Sequence, residues 1–183
     1  MDLETVLFNK DNFKFTRVNQ NHYIIEFTIE NNNIDLSKII DFNLIKLIYD
    51  LNTDIYEKVS LEKINDENAV EILLLKNFFE DIGFPQHYCY VNINKVVNDN
   101  CIQFNTETIQ THRPEGIPPD AEIMNISNLT TKCDIITQHK LNFTHTVIFE
   151  STLEFPLFVE KMIGIILNKI FKRVKQFIEK VTI

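Results

Sequence analysis

The chain has 183 residues, of which 44% are hydrophobic and 24% charged, a composition typical of a folded domain and not of a disordered segment. Its formal net charge of −8 disfavours nucleic-acid binding, because a phosphate backbone would be repelled. No stretch approaches the ~20 apolar residues of a membrane span. We therefore expect a single domain over residues 1–183, with no nucleic-acid partner and no transmembrane segment.

The first half of the chain is predicted to contain one strand and two helices. Residues His22–Glu30 are rich in Ile, Phe and Thr and predict a strand. Apolar residues recur at helical spacing from about Leu36 to Leu51, and again from about Asp66 to Ile82. The second helix would begin with acidic residues and stop at Gly83, whereas the segment 53–64 between the helices is ambiguous.

The second half of the chain has the alternation typical of strands. His87 to Val97 and Cys101 to Gln110 predict a hairpin with a turn at residues 98–100. The segment from Thr111 to Asp120 holds three of the five prolines and is interpreted either as a stiff lid or docking loop, or as a plain connector. Two long strands are then predicted, from Glu122 to Thr137 and from Lys140 to Ser151.

A long amphipathic helix is predicted from Pro156 to about Lys180. One face of this helix is apolar and comprises Val159, Met162, Ile163, Ile166, Ile170, Val174 and Phe177. Between Lys161 and Lys180, six basic residues and one acid give a net charge of +5, which leaves about −13 for the rest of the chain. The basic face of the helix is Lys161, Lys169, Lys172 and Lys175. It could bind an acidic protein partner or an acidic membrane surface, or it is a solvated helix face.

This order of elements resembles the START-like (SRPBCC, helix-grip) superfamily. The closest match is the end of the chain, where the strand KLNFTHTVIFEST precedes the helix EFPLFVEKMIGIILNKIFKRVKQFIEKV. The resemblance implies an α+β fold in which an antiparallel curved sheet grips the long C-terminal helix. Four strands follow the predicted helices where the family usually has six, so the 111–120 loop or the 122–137 segment would hide two more. Residues 1–21 have no counterpart in the family.

The same resemblance implies an apolar cavity between the sheet and the helix. Members of the superfamily bind lipids, sterols, polyketides or plant hormones there, some are cyclases, and others are protein-interaction modules. The residues predicted to contact a ligand are Phe143, His145, Val147, Met162, Ile166, Ile170 and Arg173. His145 would bond a ligand carbonyl, act as an acid or base, or be a core histidine bonded to a neighbour. Arg173 would meet an anionic head group or place its charge in water.

We hypothesise that the protein is a non-enzymatic binding module for a hydrophobic or lipid-like ligand. The alternative is a structural or protein-interaction component with a filled core, with a large DNA virus as one source. An enzyme that uses the cavity is the third hypothesis. No cofactor or metal is expected, because Cys101 does not complete a ligand set with His87 and Cys89. Three unpaired cysteines and no apolar leader predict an intracellular, cytoplasmic location, or association with a virion.

Overall fold

The computed structural model of the protein describes residues 4–78, 80–150 and 156–182. Within these residues, ten strands form one sheet and two α-helices accompany it. The strands are β1 (Thr5–Lys10), β2 (Phe13–Asn19), β3 (His22–Glu30), β4 (Tyr56–Lys63), β5 (Asn68–Leu75), β6 (His87–Asn98), β7 (Cys101–Thr108), β8 (Glu122–Ile123), β9 (Ile126–Thr137) and β10 (Lys140–Phe149). The helices are α1 (Phe42–Asp50) and α2 (Leu157–Lys180), and short 3-10 turns occupy Leu36–Ile39 and Glu80–Ile82.

The sheet is antiparallel and follows the order β1-β2-β3-β10-β9-β7-β6-β5-β4. The short β8 lies off this path and pairs in parallel with the start of β6. The central pairing joins β3 to β10, from Glu30 opposite Lys140 to His22 opposite Ile148. This pairing brings both ends of the chain into the middle of one sheet, so the curved surface that faces α2 is built from the whole sequence.

Alternation along the strands places aromatic side chains on the face that meets α2. On β3, Tyr23, Ile25, Phe27 and Ile29 are all buried. The ring of Phe27 stacks on Phe143 of β10 and packs against Phe171 of α2, with ring centroids 4.9 Å apart in both pairs. The many phenylalanines therefore form the contact between the sheet and the helix.

Polar contacts hold both ends of α2 against β2 and β3. Near its start, the buried Glu160 carboxylate accepts hydrogen bonds from Tyr23 at 2.5 Å and from Arg17 at 3.2 Å. At its end, the buried Asn31 side chain donates to the carbonyls of Ile178 at 2.6 Å and Val181 at 2.9 Å. The last carbonyls of a helix have no partner within the helix, so this side chain acts as a cap.

The predicted helix from Asp66 to Ile82 is wrong, because β5 occupies most of this segment. The reason is a second, smaller core on the side of the sheet opposite α2, where Leu74 and Tyr88 pack with Ile117 and Ala121. Ile117 belongs to the proline-rich loop (residues 111–120), and Ala121 follows it directly. Both faces of β5 are thus covered, and its sequence is a nearly continuous apolar run. Such a run also has apolar residues at helical spacing, so periodicity alone could not distinguish the two structures.

Other elements agree with the sequence more closely. The strand His22–Glu30, the hairpin of β6 and β7 and the long terminal helix are confirmed. The predicted helix from Leu36 to Leu51 is interrupted at Asp41, whose side chain caps α1 by accepting from the backbone N–H groups of residues 43 and 44. The ambiguous segment 53–64 contains β4, and Ser151 lies outside the described residues.

The strands missing from the sequence-based count are at four places. The predicted second helix hides β5, and the ambiguous segment 53–64 holds its partner β4. The N-terminal segment, for which no family counterpart was expected, contains β1 and β2. The segment 122–137 divides into the short β8 and the long β9. The proline-rich loop lies against the sheet face opposite α2, where the Arg113 guanidinium donates to the carbonyl of Ala121 at 2.9 Å. This loop is therefore not a lid over the space between sheet and helix.

Gly164 sets how closely α2 approaches the sheet. A Cβ at this position would lie 2.7 Å from Cδ1 of Phe15, whose side chain on β2 is buried. We expect Gly164→Ala to destabilise the protein by about 1–2 kcal/mol, because the cost of overpacking exceeds the gain of up to about 1 kcal/mol in helix propensity. Urea unfolding measures the change.

The matched control is Gln176→Ala, an exposed position in the same helix, which should change the free energy of unfolding by less than about 0.5 kcal/mol. A Gly164→Ala protein more stable than the wild type would contradict the close contact between α2 and β2.

Candidate ligand-binding cavity

A cavity of about 370 Å³ lies between the sheet and α2. Its wall is formed by α1, by α2 and by the side chains with which the strands between β3 and β10 face these helices. Most of the wall is apolar. Lys76, Asn77 and Phe78 also belong to the wall and are exposed, so the cavity reaches the surface at the connection that follows β5. Small-molecule sites commonly have volumes of about 300–1,000 Å³, so the space is sufficient for a small ligand.

The strand β10 shows where the core ends and the cavity begins. On its inward face, Leu141 and Phe143 are buried, whereas His145, Val147 and Phe149 keep part of their surface accessible. Burial nevertheless lowers the pKa of His145 to about 4. This combination is expected beside an internal cavity, where a side chain has open space next to it but is removed from bulk water. The neutral imidazole accepts or donates through Nδ1 in a 2.7 Å hydrogen bond with Thr131 on β9.

Five of the seven residues predicted from the sequence line this cavity. They are Phe143, His145 and Val147 on β10, and Ile166 and Ile170 on α2. Their role in binding a ligand stays a prediction, but the structure brings them together on one wall. The remaining two residues, Met162 and Arg173, are not part of the wall.

Met162 is on the outer side of α2, where 42% of its surface is exposed. The buried face of the helix includes Gly164 and Phe171, which the sequence analysis left out of the apolar stripe. Including them rotates the buried face away from Met162 and from Phe177, which is also exposed. The predicted stripe was therefore correct in its centre and wrong at one edge.

Arg173 contacts the connection between α1 and β4 and not a cavity mouth. Its guanidinium donates to both carboxylate oxygens of Asp54, at 2.5 and 3.1 Å, and to the Asn52 side chain at 3.0 Å. The hydrogen bonds from Arg173 and Lys169 hold the pKa of Asp54 well below its usual range. The predicted contact with an anionic head group is replaced by an ion pair within the chain.

Most of the basic face of α2 is likewise bound within the protein. Lys169 pairs with Asp54 at 2.7 Å and Lys172 with Asp11 at 3.0 Å, while Lys175 donates to the carbonyl of Thr28 at 2.7 Å. These contacts attach the helix to the acidic body of the chain. They leave less free charge for an acidic protein partner than the sequence suggested.

One acidic side chain, Glu71 on β5, lies in the wall at the side of the cavity covered by α1. Only 5% of its surface is exposed, and the Tyr49 hydroxyl of α1 donates to its Oε2 at 2.5 Å. Burial raises the pKa of Glu71 to about 7, although the hydrogen bond from Tyr49 acts in the opposite direction. An ionised carboxylate is costly in an apolar environment, so this group is close to half protonated at neutral pH.

Two further polar side chains surround Glu71. The ring of Tyr56 meets that of Tyr49 edge to face, with centroids 5.1 Å apart. Burial raises the pKa of Tyr56, and of Cys89 on β6 to about 12, and the Glu71 charge adds to both shifts. The Cys89 thiol is therefore protonated at neutral pH and is a poor nucleophile or metal ligand.

Glu71 and His145, whose neutral forms burial favours, are far apart along the sheet. Three strands separate β5 from β10, so at a spacing of ~4.8 Å the two residues lie ~19 Å apart along the curved sheet. A general acid–base or nucleophilic mechanism needs partners within hydrogen-bond reach. Among the described residues, no group of three or more His, Cys, Asp or Glu side chains is arranged to hold a metal ion.

Three polar wall residues, Glu71, Tyr49 and Thr131, were not predicted from the sequence. A single acid inside the run Val70–Leu75 is a strong signal when that run is a strand, because alternation then places it on a buried face. In the helix predicted for the same segment, Glu71 would have been an unremarkable polar position. The error in secondary structure therefore concealed the only carboxylate in the wall that the described residues form.

Several solved structures share this architecture. The human StarD13 (DLC2) lipid transfer and protein localization domain has a TM-score of 0.69 at 10% identity, over 99% of this chain and 91% of that one. A STAR-related lipid transfer protein from Xanthomonas axonopodis has a TM-score of 0.66 at 9% identity, over 96% and 98%. Human StAR-related lipid transfer protein 5 has a TM-score of 0.64 at 13% identity, over 96% and 88%. The chain therefore has the START-like helix-grip fold that its order of elements predicted.

At these identities the likeness establishes the fold alone. No protein-family model and no curated protein matches the sequence. None of the helices in the described part of the chain is long and apolar enough to cross a membrane. Fold alone does not define a function, which depends on the chemistry of the cavity.

The raised pKa of Glu71 has a measurable effect on stability. The folded protein binds a proton at this site up to about pH 7, whereas the ordinary value is 4.5. Stability is therefore lost as the pH rises through this window, by about 3 kcal/mol when the loss is complete. Glu71→Gln removes the titrating group but keeps an oxygen that accepts from Tyr49.

We expect the free energy of unfolding of Glu71→Gln, relative to wild type, to increase between about pH 5 and about pH 8. Denaturant unfolding of both proteins at both pH values measures this difference, in which the contributions of all other titrating groups cancel. A difference that does not change with pH would mean that Glu71 is not desolvated.

Proposed function

We propose that the protein is a non-enzymatic binding module that holds a hydrophobic or lipid-like small molecule between its sheet and α2. The observation that carries this proposal is the apolar cavity of about 370 Å³, which reaches the surface beside Phe78. An empty apolar space of this size is costly, since each deleted packing contact lowers stability. A ligand would recover that free energy on binding.

The fold supports the same proposal. The three similar structures are described as lipid transfer proteins or domains, and each covers most of this chain. The alternative of a structural protein expected a filled core, which the cavity does not match. The enzyme hypothesis expected polar groups that converge, whereas Glu71 and His145 are separated along the sheet.

Native mass spectrometry of the freshly purified protein is the first test. We expect a stoichiometric added mass that organic extraction removes, and lipid analysis of the extract then gives the chemical class of the ligand. The neutral fluorophore N-phenyl-1-naphthylamine, added to extracted protein, should bind with increased fluorescence because it enters an apolar site. Extracted protein that does not bind this probe would contradict the proposal.

Filling the cavity should abolish this binding. Val147→Trp places a larger side chain in the wall, and we expect the affinity for the probe to fall at least about tenfold, or about 1.4 kcal/mol. Ile136→Trp is the matched control, because Ile136 on β9 is 51% exposed and does not line the cavity. Equal binding by the two variants, with thermal unfolding intact, would mean that the probe binds elsewhere.

A charge in the helix wall tests the position of α2. Ile166 lines the cavity, so Ile166→Arg would place an uncompensated guanidinium beside apolar side chains. We expect this variant to unfold or to lose probe binding, as judged by circular dichroism and fluorescence. A folded Ile166→Arg protein with wild-type affinity would exclude this face of α2 from the binding site.

A further inference from the structure

The end of the cavity beneath α1 differs chemically from the rest of the wall. There, Glu71 lies near Tyr49 and Tyr56, whose rings meet edge to face. All three side chains line the cavity, and Tyr49 fixes the carboxyl through a 2.5 Å hydrogen bond to Oε2. We name these three residues the acidic end of the cavity.

The carboxyl of Glu71 has no cationic partner within the described residues. No Lys or Arg forms an ion pair with it, although eleven ion pairs occur elsewhere in the described part of the chain. The titratable groups that face it are the Tyr49 hydroxyl from α1, the Tyr56 hydroxyl from β4 and the Cys89 thiol from β6. All three are neutral near pH 7, so none supplies a positive charge.

The other charged group of the wall is at the surface. Lys76 follows β5 on the exposed connection, and its flexible ammonium can remain in water at the cavity mouth. The buried carboxyl is therefore without compensation when the cavity is empty. Buried charges in proteins are generally paired, and a lone one is a costly arrangement unless a ligand completes it.

We propose that the acidic end binds the ammonium group of an amphipathic amine, whose apolar part occupies the remaining cavity. The ammonium would donate to Glu71 and lie against the rings of Tyr49 and Tyr56. Aromatic faces attract cations, and the attraction increases when both groups are desolvated. This inference rests on the proposed function, because it requires the apolar part of the cavity to accept a ligand.

The proposed contact favours amines over ligands of equal shape. A fatty acid would place a second carboxylate beside Glu71, which is unfavourable at short distance in a site of low polarity. An alcohol of the same length gains one hydrogen bond but no ion pair. The expected order of affinity is thus amine, then alcohol, then carboxylate.

The test uses three probes of equal chain length: decylamine, decanol and decanoate. Displacement of N-phenyl-1-naphthylamine from the extracted full chain by each probe is measured near pH 7.5. Decylamine is protonated at this pH, which is well below the ordinary pKa of an alkyl ammonium. We expect decylamine to bind at least about tenfold more tightly than decanol, and decanoate to bind least. Decanol binding as tightly as decylamine, with normal binding of the fluorophore, would overturn this inference and leave the proposed function intact. No binding of the fluorophore would overturn both.

Glu71→Gln identifies the residue responsible. We expect this variant to lose the preference for decylamine over decanol, because the neutral amide no longer attracts the ammonium. A retained preference in a folded Glu71→Gln protein would place the amine elsewhere.

The wild-type protein provides a second measurement that does not depend on a variant. Ionisation of Glu71 should increase the affinity for decylamine about tenfold or more between about pH 5.5 and about pH 8, whereas decanol affinity should not increase. An affinity for decylamine that is constant across this range would contradict the proposal.

Discussion

The contact between Gly164 of α2 and Phe15 of β2 fixes the position of the long helix on the sheet. The helix is held along its length on the same side, by Glu160 with Arg17 and Tyr23 at one end and by the Asn31 cap at the other. Because α2 is fixed near β2 and β3, its side chains do not reach across the concave face of the sheet to the strands β4 to β7. The cavity is the space that this placement leaves.

The far side of the cavity is covered by α1, whose Tyr49 lies beside Glu71 of β5 and Tyr56 of β4. This is why the chemistry of the wall is asymmetric. On β10 and α2 the wall is apolar apart from the neutral His145, whereas beneath α1 it contains Glu71 and two tyrosines. A ligand would thus meet two environments within one cavity, and its orientation follows from which of its ends is polar. The cavity also explains why His145 keeps some accessible surface although burial lowers its pKa.

The sequence predicted the strand β3, the hairpin of β6 and β7, the helix α2 and the START-like architecture. It could not predict β5, because the proline-rich loop covers the second face of that strand and makes its pattern continuous. It predicted five wall residues, because strand and helix periodicity assign faces reliably near the middle of an element. It misplaced Met162 and Arg173, since the rotation of α2 depends on Gly164 and Phe171, and the partner of Arg173 is Asp54 from a distant connection.

The pairing of β3 with β10 also determines how the protein must fold. The Thr28 side chain meets that of Asn142, 114 residues further along the chain. The β1–β3 unit can form early, but β3 has no partner strand on its other edge until β10 has been synthesised. Until then, a strand rich in Ile and Phe has an open edge. An apolar edge of this kind is prone to pair with other chains, and contacts between distant residues form slowly. Synthesis of this fold therefore passes through a stage that is vulnerable to aggregation, during which a chaperone that binds extended apolar segments would raise the yield of folded protein.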